Sequence, residues 1–212
     1  PLPPAVRRIA ILYVAIAPPG ARRVNDVPVP RGGGVAVAFA FVAVSGVLLA
    51  VNAVIAFVPV PTNVQLLDVV GLLLGGALAT AFGVVDDYLD LRARWQFGGQ
   101  LGLALFAIAT GFVIDFVSNP IGSEIGPPTL HLPVALAIGF SVLWIAGMIN
   151  SINFIDGLDG LSSGIGLIAA VTLGVISLTP DFSQPYVAVL CFALAGSLLG
   201  FLRWNFHPAT IF

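Results

Sequence analysis

Two stretches of this sequence carry the residue types that could do chemistry: VVDDYLDL (84–91) and NSINFIDGLDGL (150–161). If a helix runs on past Val85, Asp86 and Asp90 fall one turn apart on one face, with Asp87 about 100° round from Asp86. Like charges at that spacing repel by a few tenths of a kcal/mol, and by more beside a low-dielectric membrane. A divalent cation would reverse the sign. Mg²⁺ typically takes one or two protein carboxylates and completes its shell with substrate phosphates and water. The alternative, that these acids mark a solvated helix end, stays open on spacing alone. In the second stretch Asn150, Asn153, Asp156 and Asp159 recur every third residue, so on a helix they would drift across one side. Gly157 and Gly160 argue for a helix end followed by a turn instead. Backbone N–H groups in such a turn suit a phosphate, and asparagine amides suit a base or sugar edge. A loop with Asn153 and Asp156 as helix caps is the plainer reading of the same residues. A third cluster, PRGGG (30–34), puts Arg31 beside three glycines. Arg31 could hold a phosphate bidentately while the glycines allow close backbone approach, or it could be a topogenic arginine in a turn.

The elements that must position these clusters are set by composition. Hydrophobic residues are 58% of the 212 and charged residues 8%, and the mean hydropathy is +1.07. Soluble domains carry roughly 25% charged residues, so this composition excludes an ordinary soluble fold and predicts an all-α, polytopic bundle of about six spans. The six apolar stretches are Val35–Val58, Leu67–Val85, Phe97–Val117, Pro133–Ile149, Leu161–Thr179 and Tyr186–Leu202. No linker divides the chain, so 1–212 reads as one membrane-embedded domain. Glycines inside the spans (Gly71, Gly75, Gly76, Gly98, Gly99, Gly102, Gly196, Gly200) predict close helix contacts. The one cysteine, Cys191, sits in an apolar run and reads as a small packing residue.

Threading six spans sends residues 1–34, 86–96, 150–160 and 203–212 to one side. All eight arginines fall there: Arg7, Arg8, Arg22, Arg23, Arg31, Arg92, Arg94 and Arg203. The positive-inside rule makes that side cytoplasmic. The three polar clusters lie on it too, each at the end of a span. Acids elsewhere (Asp68, Asp115, Glu124 and Asp181) fall at or beyond the opposite ends. Three discontinuous clusters on one face are what a single cytoplasmic-facing site would need, one where a metal-bound, phosphate-bearing substrate meets something in the membrane.

At these residues the sequence resembles the polyprenyl-phosphate N-acetylhexosamine-1-phosphate transferases. VPVPRGGG (27–34), VVDDYLDL, NSINFIDGLDGL and NFHPATIF (205–212) match in order over nearly the whole chain. The resemblance implies that a polyprenyl phosphate, undecaprenyl phosphate by expectation, attacks the β-phosphorus of a UDP-N-acetylhexosamine, with UMP leaving and Mg²⁺ (or Mn²⁺) required. It implies catalytic and metal-binding roles for Asp86, Asp87 and Asp156. Arg31, Asn150, Asn153 and Asp159 would line the nucleotide-sugar region. Because the attacking phosphate has a second pKa near 6, charge neutralisation comes first for Asp86 and Asp87, and a base role for Asp86 second. The wording IDGLDGLSSG leans to the N-acetylglucosamine branch of the family over the muramoyl-pentapeptide branch.

The resemblance further implies a bacterial inner membrane, a cell-envelope glycan pathway and no nucleic-acid partner, with a homodimer as one option for assembly. It implies that the chain is a fragment without most of the family's first helix and without the later helices and loops, and that the fragment alone does not catalyse. Asn25 stands roughly where many relatives carry histidine. Two other classes compete. An ion-coupled transporter would also embed carboxylates in glycine-interrupted helices, but near the midplane and not at one face. A non-catalytic assembly subunit is the third.

Overall fold

The computed structural model describes residues 16–17, 29–30, 32–61, 64–119 and 129–211. The protein is an all-α membrane bundle. Among the described residues six helices follow one another: α1 (Gly33–Ile55), α2 (Leu66–Leu89), α3 (Ala93–Ala109), α4 (Val134–Ile155), α5 (Leu161–Ser177) and α6 (Pro185–Asn205). Two short antiparallel pairs accompany them. β1 (Ile16–Ala17) pairs with β2 (Val29–Pro30), and β3 (Phe116–Ser118) with β4 (Thr129–His131). Lipid offers no partner to a backbone amide, so each crossing segment must satisfy its own hydrogen bonds as a helix. α1, α2, α4 and α6 are long and apolar enough to cross a membrane. α3 and α5 have 17 residues each, about 25 Å of helix, somewhat short of a hydrocarbon core of about 30 Å.

The helix ends have local causes. α1 stops where Asn52, almost fully buried, folds its amide onto the chain beyond: Nδ2 donates to Val58 O at 3.0 Å and Val58 N donates to Oδ1 at 2.7 Å. α2 opens with a capping box, in which Gln65 N donates to Asp68 Oδ2 at 2.8 Å and the Gln65 side chain accepts from the backbone of Asp68. The third span was expected over Phe97–Val117, but α3 begins at Ala93 and ends at Ala109. Thr110 Oγ1 turns back onto the carbonyls of Phe106 and Ala107, and Gly111 takes a left-handed φ of 100°. The chain then leaves the helix toward β3. The fourth span, expected over Pro133–Ile149 with an extension to Ile152 left open, continues as α4 to Ile155, because nothing in 150–155 breaks a helix before Gly157.

Each helix touches its sequence neighbours, and α6 returns to α1, so the contacts form a closed circuit, lightest between α4 and α5. The most extensive contact is α5–α6, where a Cβ on Gly174 would stand 3.0 Å from the Phe192 ring and one on Gly166 3.2 Å from Leu198. Small residues at such crossings let backbones approach and gain dispersion contacts. Between α2 and α3 the same device is sharper, since a Cβ on Gly71 would meet Thr110 at 2.5 Å and one on Gly99 the Phe82 ring at 2.1 Å. The expectation for the other glycines differs. Gly75 has ordinary contact with Phe106, whereas Gly76, Gly98, Gly102, Gly196 and Gly200 have nothing within 4 Å.

Candidate active site

The start of α1, the end of α2 and the end of α4 meet at one end of the bundle. They line a cavity of about 310 Å³ whose walls include Gly32, Gly34, Thr80, Gly83, Asp87 and Asp156. The start of α2, the end of α1 and Tyr186 at the start of α6 meet around a different cavity of about 530 Å³. The alternation required by six threaded spans is therefore present in three dimensions. Among the described residues, Arg92 and Arg94 at the start of α3 and Arg203 at the end of α6 belong to the same end as Asp87 and Asp156. Arg31 and the four arginines before it lie outside the described residues.

α2 does run on past Val85, so Asp86 and Asp87 are helical. Asp90 does not share a helical face with Asp86. The helix stops at Leu89, and Asp90 takes a left-handed φ of 47° with its N–H on Asp86 O. Aspartate visits that region more readily than most side chains. The adjacent pair is then split by its neighbours. Asp87 lines the cavity. Asp86, which does not, is held from α3: Gln96 Nε2 lies 3.0 Å from both Oδ1 and Oδ2.

The second stretch behaves as a helix end with a glycine turn. α4 carries Asn150 and Asn153, Asp156 is its C-cap, and α5 begins after Gly160 at a left-handed φ of 71°. Asn150 Oδ1 is 3.4 Å from Gln100 Nε2, longer than an ordinary hydrogen bond. Asn153 is exposed. Asp156 Oδ1 accepts a hydrogen bond from Ser162 Oγ in the first turn of α5. Asp159 is placed differently. Its side chain is 7% exposed, and Oδ2 accepts from Ala209 N at 2.9 Å and meets His207 Nδ1 at 3.0 Å.

Asn205 explains how the turn is braced. It is 3% exposed. Its Oδ1 accepts from Gly160 N at 3.2 Å and Ser163 Oγ at 2.7 Å, and its Nδ2 donates to Ile211 O at 3.0 Å. Thus residues 205–211 close over the IDGLDG turn through Asn205 and Asp159, and Asp156 is left facing the cavity. Sequence reasoning gave no role to Gln96, Ser162, Asn205 or His207. The first could have been found as half of a Gln96–Gln100 pair inside an apolar span, since polar side chains within membrane helices are costly.

The donor set can be weighed against the expected Mg²⁺. Two carboxylates from different helices reach one cavity. Among the described residues no group of three or more His, Cys, Asp or Glu converges. That pattern fits a hard cation completed by substrate phosphates, and does not fit an ion caged by protein alone.

Glycosyl transferase family 4 matches residues 69–212. The chain is 36% identical, over 99% of its own length, to a Bacillus subtilis (strain 168) protein named as a probable undecaprenyl-phosphate N-acetylglucosaminyl 1-phosphate transferase, and covers 53% of it. It is 36% identical over 98% of its length to the decaprenyl-phosphate N-acetylglucosaminephosphotransferase of Mycolicibacterium smegmatis, covering 50%. It is 35% identical over 64% of its length to a phospho-N-acetylmuramoyl-pentapeptide-transferase of Listeria monocytogenes serotype 4b, covering 43%. The chain thus spans about half the length of the relatives it matches.

Proposed function

The chain belongs to glycosyl transferase family 4, and on that premise we propose that it serves the transfer of N-acetylglucosamine-1-phosphate from UDP-N-acetylglucosamine to a polyprenyl phosphate. A phosphate oxygen of the lipid bonds to the β-phosphorus of the sugar nucleotide. The bond from that phosphorus to the bridging oxygen breaks, and UMP leaves with the electron pair. The observation that carries this reading is the convergence of Asp87, Asp156 and the glycine-rich start of α1 on one cavity at the end of a membrane bundle. That is where a water-soluble sugar nucleotide and a lipid phosphate can meet without either crossing the hydrocarbon.

The nucleophile is a phosphate with a second pKa near 6, already largely dianionic at pH 7, so the barrier lies in bringing two anions together. Asp87 and Asp156 would hold Mg²⁺, which when bound offsets that negative charge. The start of α1 lines the cavity and has no acidic residue in its first turn and no side-chain cap, so the positive end of its dipole lies beside the cavity. Ser162 orients the Asp156 carboxylate. Asn205 and Asp159 keep the turn closed behind it. With all eight arginines on the site's side of the threaded chain, the site faces the cytoplasm, in a bacterial plasma membrane. There the reaction would load the first sugar of a cell-envelope glycan. The N-acetylglucosamine branch is favoured over the muramoyl-pentapeptide branch because those relatives match 98–99% of the chain and the other 64%.

The test is UMP release by the full-length protein with Mg²⁺, undecaprenyl phosphate and either UDP-N-acetylglucosamine or the UDP-muramoyl-pentapeptide. Release that needs both lipid and UDP-N-acetylglucosamine is expected. Release with the pentapeptide nucleotide alone moves the protein to the other branch, and release with neither removes the reading.

A further inference from the structure

α3 contributes no group to the lining of the cavity, yet it carries two glutamines one turn apart in an uncharged, mostly apolar run from Trp95 to Ala109. An amide taken even partly out of water is costly unless it is paired, and Gln96 is half-buried. Gln96 is paired to a carboxylate, and hydrogen bonds with one ionised partner are roughly twice as strong as neutral ones. The crossing that brings them together is close. Phe82, one turn before Asp86, packs its ring on Gly99, three residues after Gln96. This fixes the rotation of α2 against α3 at the level of the amide. One turn deeper, Gln100 is 3% exposed, reaches Asn150 only at 3.4 Å, and leaves Oε1 without a partner. An apolar side chain there would avoid that cost, so packing alone does not account for the pair.

We propose that Gln96 is a positioning residue that decides which member of the Asp86–Asp87 pair faces the cavity. Helix geometry sets the two carboxylates about 100° apart but lets either swing toward a cation. By taking both oxygens of Asp86, Gln96 holds that acid on the α3 side and leaves Asp87 to the cavity with Asp156. Without the amide, Asp86 would compete with Asp87 for the cation that Asp87 and Asp156 would hold. This inference rests on the transfer reading given above.

The experiment uses full-length protein, with folded material quantified by gel filtration and circular dichroism. Gln96→Met should lower kcat about tenfold per folded molecule and leave KM for UDP-N-acetylglucosamine within about twofold. Its distinguishing signature is in the cycle with Asp86→Asn. If Gln96 acts through Asp86, adding Gln96→Met to Asp86→Asn lowers kcat no further. If Gln96→Met does not fold, the same cycle is run with Gln96→Glu, which keeps the shape and puts a carboxylate where the donor was. An unchanged kcat in the single variant, or equal losses in both backgrounds, overturns the inference and leaves the transfer reading standing. A wild-type protein that releases no UMP overturns the transfer reading and this inference with it.

Discussion

Asp87 and Asp156 come from different helices and line the same cavity; Asp86 and Asp159 do not line it and are bonded to Gln96 and to the 207–209 segment. Their substitutions should therefore differ in kind. Asp87→Asn and Asp156→Asn should each cut kcat about a hundredfold or more, the scale of losing one electrostatic stabiliser. Because the expected loss is in holding a cation, raising Mg²⁺ should partly restore the weaker of the two. Asp159→Asn should instead lower thermal stability, since it weakens the contacts that close residues 205–211 over the turn, with a smaller effect on turnover per folded molecule. Turnover and melting temperature on the same preparations separate these outcomes. Loss of turnover in Asp159→Asn at unchanged melting temperature would return that acid to the substrate shell.

At the scale of the helices, the α2–α3 crossing is held at two glycines. A methyl group on Gly71 would collide with Thr110, which is buried and bonded through Oγ1 to two carbonyls. One on Gly99 would collide with the Phe82 ring. Overpacking of this kind costs about 1–3 kcal/mol. Gly71→Ala and Gly99→Ala should lower the melting temperature in detergent, and Gly99→Ala should also lower turnover because it disturbs the level at which Gln96 meets Asp86. Gly76→Ala is the control on the same helix. Nothing lies within 4 Å of its Cβ position, so it should be neutral or slightly stabilising through helix propensity, by up to about 1 kcal/mol. A control as damaging as the other two would show that α2 does not pack in this register.

At the scale of the whole bundle, the six helices of the described residues alternate in direction, and the cavities at Asp87–Asp156 and at Asn52–Tyr186 lie at opposite ends. Cysteines introduced at Arg92 and Gly157 should react with an impermeant maleimide only from the cytoplasmic side, and one at Asp181 only from outside. The endogenous Cys191 would be replaced by Ala first. Labelling of Asp181→Cys and Gly157→Cys from the same side would break the alternation. Labelling with the sides exchanged would keep the bundle and reverse the proposed orientation.

The sequence by itself determined the class of fold and the end of the bundle at which the polar clusters gather. The reason is the solvent: in lipid an apolar run must become a helix, so length, hydropathy and the placement of arginines suffice without knowledge of any contact. Five of the six helix starts were legible to within two residues, and the end near Gly157 and the start after Gly160 had a local glycine signal. Helix ends were missed where a side chain closed the helix, as Thr110 does for α3. Tertiary structure alone decided which acid of each pair faces the cavity. Periodicity gives the angle between Asp86 and Asp87, and the spacing between Asp156 and Asp159, but not the absolute direction of either. Direction comes from the neighbour each side chain meets: Gln96 for Asp86, His207 and the Ala209 backbone for Asp159, Ser162 for Asp156. Those partners lie between 6 and 50 residues away in the chain, beyond the reach of any local pattern.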